Sequence, residues 1–152
     1  MASNIKFSAA LRTARASAIS TSAGTSALIE IYDGAQPAGP DAAITSQVLL
    51  CTLTGNATSF GAAAGGVLTL GAITQGTGTA AATTSGKRAT WARIKTSGGA
   101  AHIDCTVGTN GTLNTDGTAS AGAVYDININ NNLITTSQIV SISSFSLTEA
   151  NA

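Results

Sequence analysis

Charge is scarce in this sequence. Only 9% of its 152 residues are Asp, Glu, Lys or Arg, against about 25% in an ordinary soluble domain. Seven basic and seven acidic residues cancel, so no net field draws the chain to nucleic acid or to an anionic membrane surface. Aromatics are also few, at 4%, with one Trp, and there is a single His. One His with no second His-rich segment argues against a zinc site. Two cysteines, Cys51 and Cys105, are too few for a disulfide framework. Each sits in an apolar run, where a free Cys behaves as a small buried hydrophobe; a single bridge stays open if their strands are neighbours. No apolar run nears the length of a membrane-spanning helix, and none near the start has the form of a secretory core segment.

What remains is Ala, Gly, Ser, Thr and Asn, and the surface must be built from these. Few solvated charges give little protection against association, which points toward assembly. Residues 1–29 carry Lys6, Arg12 and Arg15 and no acid before Glu30, a profile shared with mitochondrial presequences. The same segment has a structural reading. Phe7, Leu11, Ala14 and Ala18 fall on one helix face, widened by Ile19, with Ser3 or Asn4 able to cap the start. The Ser/Thr/Gly run at 20–26 ends the helix. A helix this short is marginal alone, so its stripe is expected to dock on its own sheet or on a neighbouring subunit.

From Ala27 the period changes to two. Strands are expected at 28–34, 47–54, 67–75 (one strand, or two bent at Gly71), 90–96, 101–107, 123–130 and 138–150. AQPAGPDA (35–42) holds both prolines and reads as a loop. The Gly/Thr/Ala/Ser run at 76–86 reads as an exposed, flexible connection with nothing large to bury. SGGA (97–100), Asn110-Gly111, Asp116-Gly117 and the Asn run at 130–132 are turn signals. Many short strands without alternating helices predict an all-β fold: an antiparallel, jelly-roll-like β-sandwich over 27–152 behind a helical arm at 1–26.

The rare residues concentrate at 84–108, so candidate chemistry is sought there first. TTSGKR echoes a phosphate-binding loop, but Ala81 stands where its first Gly is required and Arg88 where the magnesium-binding hydroxyl is required. The run also leads into a strand, not a helix. His102 and Asp104 share a strand face and could orient a base, yet no Ser stands out as a nucleophile, and a polar outer face opposite Ile103, Cys105 and Val107 is the plainer reading. No calcium-loop pattern occurs among the scattered carboxylates. The sequence thus offers no catalytic, cofactor-binding or metal residue, and no enzyme is expected. Trp91, Arg93 and Lys95 share the face opposite Ala92 and Ile94. They could stack a sugar or a base, or form a charge-guarded edge. Because Trp and Arg are enriched at the energetic centres of interfaces, they join Phe7 and Leu11 as the candidate subunit contact.

The opening MASNIKFSAALRTARASAIS, followed by ALIEIYDGAQPAG, resembles the start of a group of small tailed-bacteriophage virion proteins. Those begin S-N-I-K-F-S-x-A-L-R and continue with a strand of form I-x-I-Y-x-G-x-x-P-A. The end, IVSISSFSLTEANA, is similar to their closing strand. The middle matches loosely, at Val48 to Leu53, Trp91 to Ile94 and Cys105 to Gly108. The resemblance covers about half the chain and implies a structural virion role of the capsid cement or decoration type. It further implies the phage major capsid protein as partner, a trimer or dimer, a place on the particle surface after assembly in a bacterial cytoplasm, and no cofactor. A tail or neck structural protein and a carbohydrate-binding module on the particle are the alternatives.

Overall fold

A computed structural model describes residues 5–109, 112–113, 119–120 and 125–149. The turn signals at 110–111 and 116–117, the proposed caps Ser3 and Asn4, and the first residues of the 123–130 strand lie outside the described residues. One α-helix is present among the described residues, α1 (Ala9–Ala23). The strands are β1 (Leu28–Tyr32), β2 (Leu49–Gly55), β3 (Val67–Thr69), β4 (Ile73–Thr74), β5 (Gly76–Thr77), β6 (Lys87–Arg88), β7 (Trp91–Lys95) and β8 (Ala101–Gly108). They continue with β9 (Thr112–Leu113), β10 (Ala119–Ser120), β11 (Ile127–Ile129), β12 (Leu133–Ile134), β13 (Ile139–Val140) and β14 (Ile142–Thr148).

The expected all-β architecture with a short N-terminal helix is the one the chain adopts. Eight strands form one sheet in the order β3-β14-β11-β8-β7-β1-β2-β4. All its pairs are antiparallel except β8 with β11, which is parallel. The two edge strands, β3 and β4, are consecutive in the chain and separated only by residues 70–72. One short segment therefore crosses from edge to edge, and the sheet curls over its own inner face. The bend falls at Gly71, where an added Cβ would lie 2.3 Å from the Thr58 carbonyl oxygen, so only Gly permits the crossing. Gly71 N donates to Ser59 O at 3.0 Å, and Phe60 bridges Leu70. Phe60 also meets Phe145 of β14 across the fold, with ring centroids 6.0 Å apart. The opposed walls of the core are thus two halves of one sheet. Small ribbons, β5 with β13 and β6 with β12, complete it.

The inner face follows the two-residue period. Cross-strand partners place Leu53, Ile29, Ile94 and Ile103 in one row and Cys51, Ile31, Ala92 and Cys105 in the next. Most are fully buried, and burying each large aliphatic side chain stabilises the fold by about 1.5–3 kcal/mol. The two cysteines end the same row, about three strand spacings or roughly 14 Å apart, beyond the span of a disulfide; both are free and buried. Burial pushes the Cys51 thiol up to about 11 and raises Cys105 too, with Asp126 and Asp104 adding to the effect.

Two expectations are overturned. The helix begins later than its apolar stripe suggests: Ser8 is the cap, accepting from Leu11 N at 3.2 Å. Its packed face is also shifted, keeping Ile19 of the expected stripe but not Leu11, Ala14 or Ala18. Ala16 and Ala23 are buried and Ile19 packs on the core, while Leu11, Ala14 and Ala18 face solvent. The helix lies against β3, where Arg12 Cβ comes so near Gly66 that a Cβ there would be 2.9 Å away. The absence of a side chain at Gly66 permits that approach, and Gly66 N donates to Thr13 Oγ1 at 3.1 Å.

The second correction concerns residues 76–86: the run is exposed at Thr77, Ala80, Ala81 and 83–85, as expected, but its other residues are packed on the sheet. Thr79 N and Oγ1 donate to Leu50 O and Leu49 O of β2, both at 2.8 Å, and Ala82 is wholly buried in a 3-10 turn. A Cβ on Gly76 would sit 2.4 Å from Cys51 Sγ, and one on Gly78 2.1 Å from Thr135 O. Nothing large is buried here because the backbone itself is what packs.

Candidate functional site

The outer face of β1, β7 and β8 carries the residues singled out from the sequence. β7 is a central strand, so Trp91 and Arg93 do not guard an edge. Register sets Tyr32 opposite Trp91, and Arg93 between Glu30 and Asp104. The Tyr32 and Trp91 rings stack at 4.6 Å with an 11° interplanar angle, a contact worth about 0.5–1.5 kcal/mol beyond its buried area. Residues 33–48 then fold back across this face as a loop. Trp91 is left 1% exposed and Arg93 4%. Trp91 Nε1 is buried without an acceptor among the described residues, a cost of about 1–3 kcal/mol set against the burial of the ring.

Arg93 is the centre of the arrangement. Its Nε and Nη2 donate to the two Asp104 carboxylate oxygens at 2.7 and 2.8 Å, a forked pair. Nη1 donates to Ala42 O at 2.9 Å and Nη2 to Gly39 O at 3.1 Å. The guanidinium also lies 5.5 Å from the Trp91 ring centre. The hydrogen bonds to Asp104 hold Arg93 in its charged form, against the opposing effect of burial. Beside it, Glu30 accepts from Tyr32 Oη at 2.5 Å and pairs with Lys95 Nζ at 2.7 Å. Burial, then the bond to Glu30, raises the Tyr32 phenol.

The loop is fastened at both feet. Val48 N donates to Asp33 Oδ1 at 2.8 Å and Lys87 lies 3.4 Å from Asp33; Thr90 Oγ1 donates to Gly34 O at 2.7 Å. In its middle, Gly39-Pro40-Asp41-Ala42 forms a β-turn closed by Ala42 N to Gly39 O at 2.9 Å, with Pro in the second position where its fixed φ suits the turn. Arg93 therefore grips the first and last carbonyls of this turn, and Asp41 stands exposed at its tip.

Of the sequence-derived candidates, Trp91, Arg93 and Lys95 do share one face, but the first two have no surface left for a second subunit. The Lys95 side chain retains 22% exposure. Phe7 is half-buried with Arg15 5.2 Å over its ring, and Leu11 is 47% exposed; Leu11 lies on the helix and Phe7 just before its cap, both remote in the chain from β7. His102 is exposed, whereas Asp104 is spent on Arg93, so the two do not form a base and its orienting carboxylate. Among the described residues, no group of three or more His, Cys, Asp or Glu could hold a metal.

The Arg93–Asp104 clasp was not expected from the sequence, although a signal existed. A hairpin closed by SGGA at 97–100 puts residue 93 opposite residue 104, and a facing Arg–Asp pair follows from that register. The turn as its target carried no such signal. Matched against protein-family models, against curated proteins and against solved structures, the chain finds no counterpart in any of the three.

Proposed function

We propose that this protein is a structural component of a tailed-phage particle that binds the assembled capsid and stabilises it, a cement or decoration protein. The observation that carries the reading is the paired resemblance at the two ends of the chain, in SNIKFSAALR with IEIYDGAQPA and in IVSISSFSLTEANA. These ends also touch one another. Arg15 Nη2 pairs with Glu149 at 3.0 Å, and Arg12 Nη1 donates to Glu149 O at 3.4 Å. The opening helix and the end of the closing strand, both parts of the resemblance, are thus in contact. A surface of Ala, Ser, Thr and Asn suits wide, hydrogen-bonded contact with a shell. The partner is the major capsid protein, and the protein would assemble on the shell as a trimer or dimer.

Its mechanism is mass action: a ligand that binds only the assembled shell stabilises it by its binding free energy, about 2.7 kcal/mol per site at a hundred times Kd. Heads heated with the protein should rupture at a higher temperature than heads lacking it. Equal rupture, with no copies retained on the heads, rejects the reading. A tail or neck protein remains the second reading, since the same resemblance serves it; location on the particle separates the two. Sugar binding on Trp91 has lost its support, because that ring is covered.

A further inference from the structure

The clasped turn invites a question that stability does not answer. A buried ion pair is weak as a stabilising device, because desolvating both charges offsets most of their attraction. Here half of the Arg93 hydrogen bonds go not to its counter-ion but to the two ends of one solvent-facing turn. A sixteen-residue excursion without regular structure, residues 33–48, is uncommon in a small domain unless it is used. This one contains both prolines of the chain, which narrow its conformations further. The outward residues around the tip are small and neutral: Ala35, Gln36, Ala38, Ala43, Thr45 and Ser46 are exposed. Asp41 is the one charged residue between positions 34 and 47.

We propose that the Gly39-Pro40-Asp41-Ala42 turn is the contact element of this protein. It docks on a protein surface that presents a Lys or Arg to Asp41 within a rim of small uncharged side chains, and Arg93 is its positioning residue. Holding the turn in one shape before binding removes an ordering cost that a loose loop would meet on association. The single carboxylate at the tip sets the register of docking, as complementary charges do at interfaces. The proposal deepens the virion reading and rests on it only in expecting the partner to be a particle protein.

A photo-crosslinking side chain placed at Ala43, beside the turn, and separately at Leu11, on the exposed helix face, tests it in assembled particles. The expected result is a crosslink from position 43 to a particle protein, weakened roughly tenfold by Asp41→Lys, a change of about 1.4 kcal/mol. Asp41→Lys alters an exposed residue and should leave folding intact. Arg93→Lys keeps the charge but not the two-ended grip. It should speed hydrogen exchange at 39–42 and lower crosslinking at position 43, without changing which partner residue is labelled. Crosslinks from Leu11 with none from position 43, no crosslinks at either, or an Asp41→Lys protein that crosslinks as well as the parent, each overturn the proposal. The identity of the labelled partner tests the virion reading separately: a tail or neck protein labelled from position 43 leaves the turn standing and removes the cement role.

Discussion

The two segments that cover the strands differ in what makes their seats specific: one depends on a charged side chain, the other on the absence of side chains. The 33–48 loop crosses the outer face of β1 and β7, and polar atoms fasten it: Arg93 to Gly39 and Ala42, Thr90 to Gly34, Val48 to Asp33. The 76–86 segment lies against β2 near the inner row; backbone and Thr79 hydrogen bonds tie it there, and missing atoms set how close it comes: Gly76 and Gly78 let the backbone come where a Cβ would overlap Cys51 and Thr135. A polar grip fails by losing a partner, because the survivor is then a buried, unpaired charge. A steric grip fails by gaining an atom.

The largest effect should come from breaking the polar grip on one side only. Asp104→Ala leaves the Arg93 guanidinium buried without its carboxylate and should cost about 3–5 kcal/mol in denaturant unfolding. Replacing both partners with apolar residues, Arg93→Met with Asp104→Leu, should recover most of that loss, while exchange at 39–42 stays fast because the turn has lost its clasp. A pair of variants that lose stability equally would show that the loop, not the charge, is what matters. Next in size is the steric grip. Gly78→Ala puts a methyl against Thr135 O and should cost about 1–3 kcal/mol, read as a fall in melting temperature, with exchange at 39–42 unchanged. Acceleration at both segments would mean that the two coverings are one cooperative unit.

The smallest effect is one of pH, and it belongs to the inner row beneath the 76–86 segment. The Cys51 thiol is raised from its ordinary value near 9 to about 11. The folded chain therefore keeps a proton that the unfolded chain releases above pH 9. That contribution is complete below pH 9 and is lost as pH rises through 11, by on the order of 1 kcal/mol at pH 10. The raised Cys105 and Tyr32 act in the same direction. Thermal melts should stay level from pH 7 to about 9 and fall above it, the fall being blunted in Cys51→Ala relative to its own value at pH 7. An identical slope in that variant would remove Cys51 from the explanation.

Local pattern carried the strands well. The alternation in TWARIKT and AHIDCTV marks Ala92, Ile94, Ile103, Cys105 and Val107 as the inner face, and all five line it. The bend at Gly71 and the loop at 35–42 were equally legible, since Gly and Pro act on the backbone of their own residue. The helix stripe was legible and misleading. Phe7, Leu11, Ala14 and Ala18 do align, but the face that packs is the one that carries Ala16, Ile19 and Ala23, with Arg12 against Gly66.

For this protein, then, amino-acid order was sufficient to mark the longer strands, the bend at Gly71, the loop at 35–42, and the apolar side of β7 and β8, but not the two-residue strands β5, β6, β9, β10 and β12. Those properties depend on neighbours two to four residues away. It was not sufficient for the closure of the sheet by residues 70–72, the packing of 76–86, or the seating of the 39–42 turn on Arg93. Each of these joins atoms far apart in sequence, Arg93 and Gly39 by 54 positions, and depends on strand order and register. Periodicity shows that Arg93 faces outward; only the folded chain supplies the loop that makes outward mean buried.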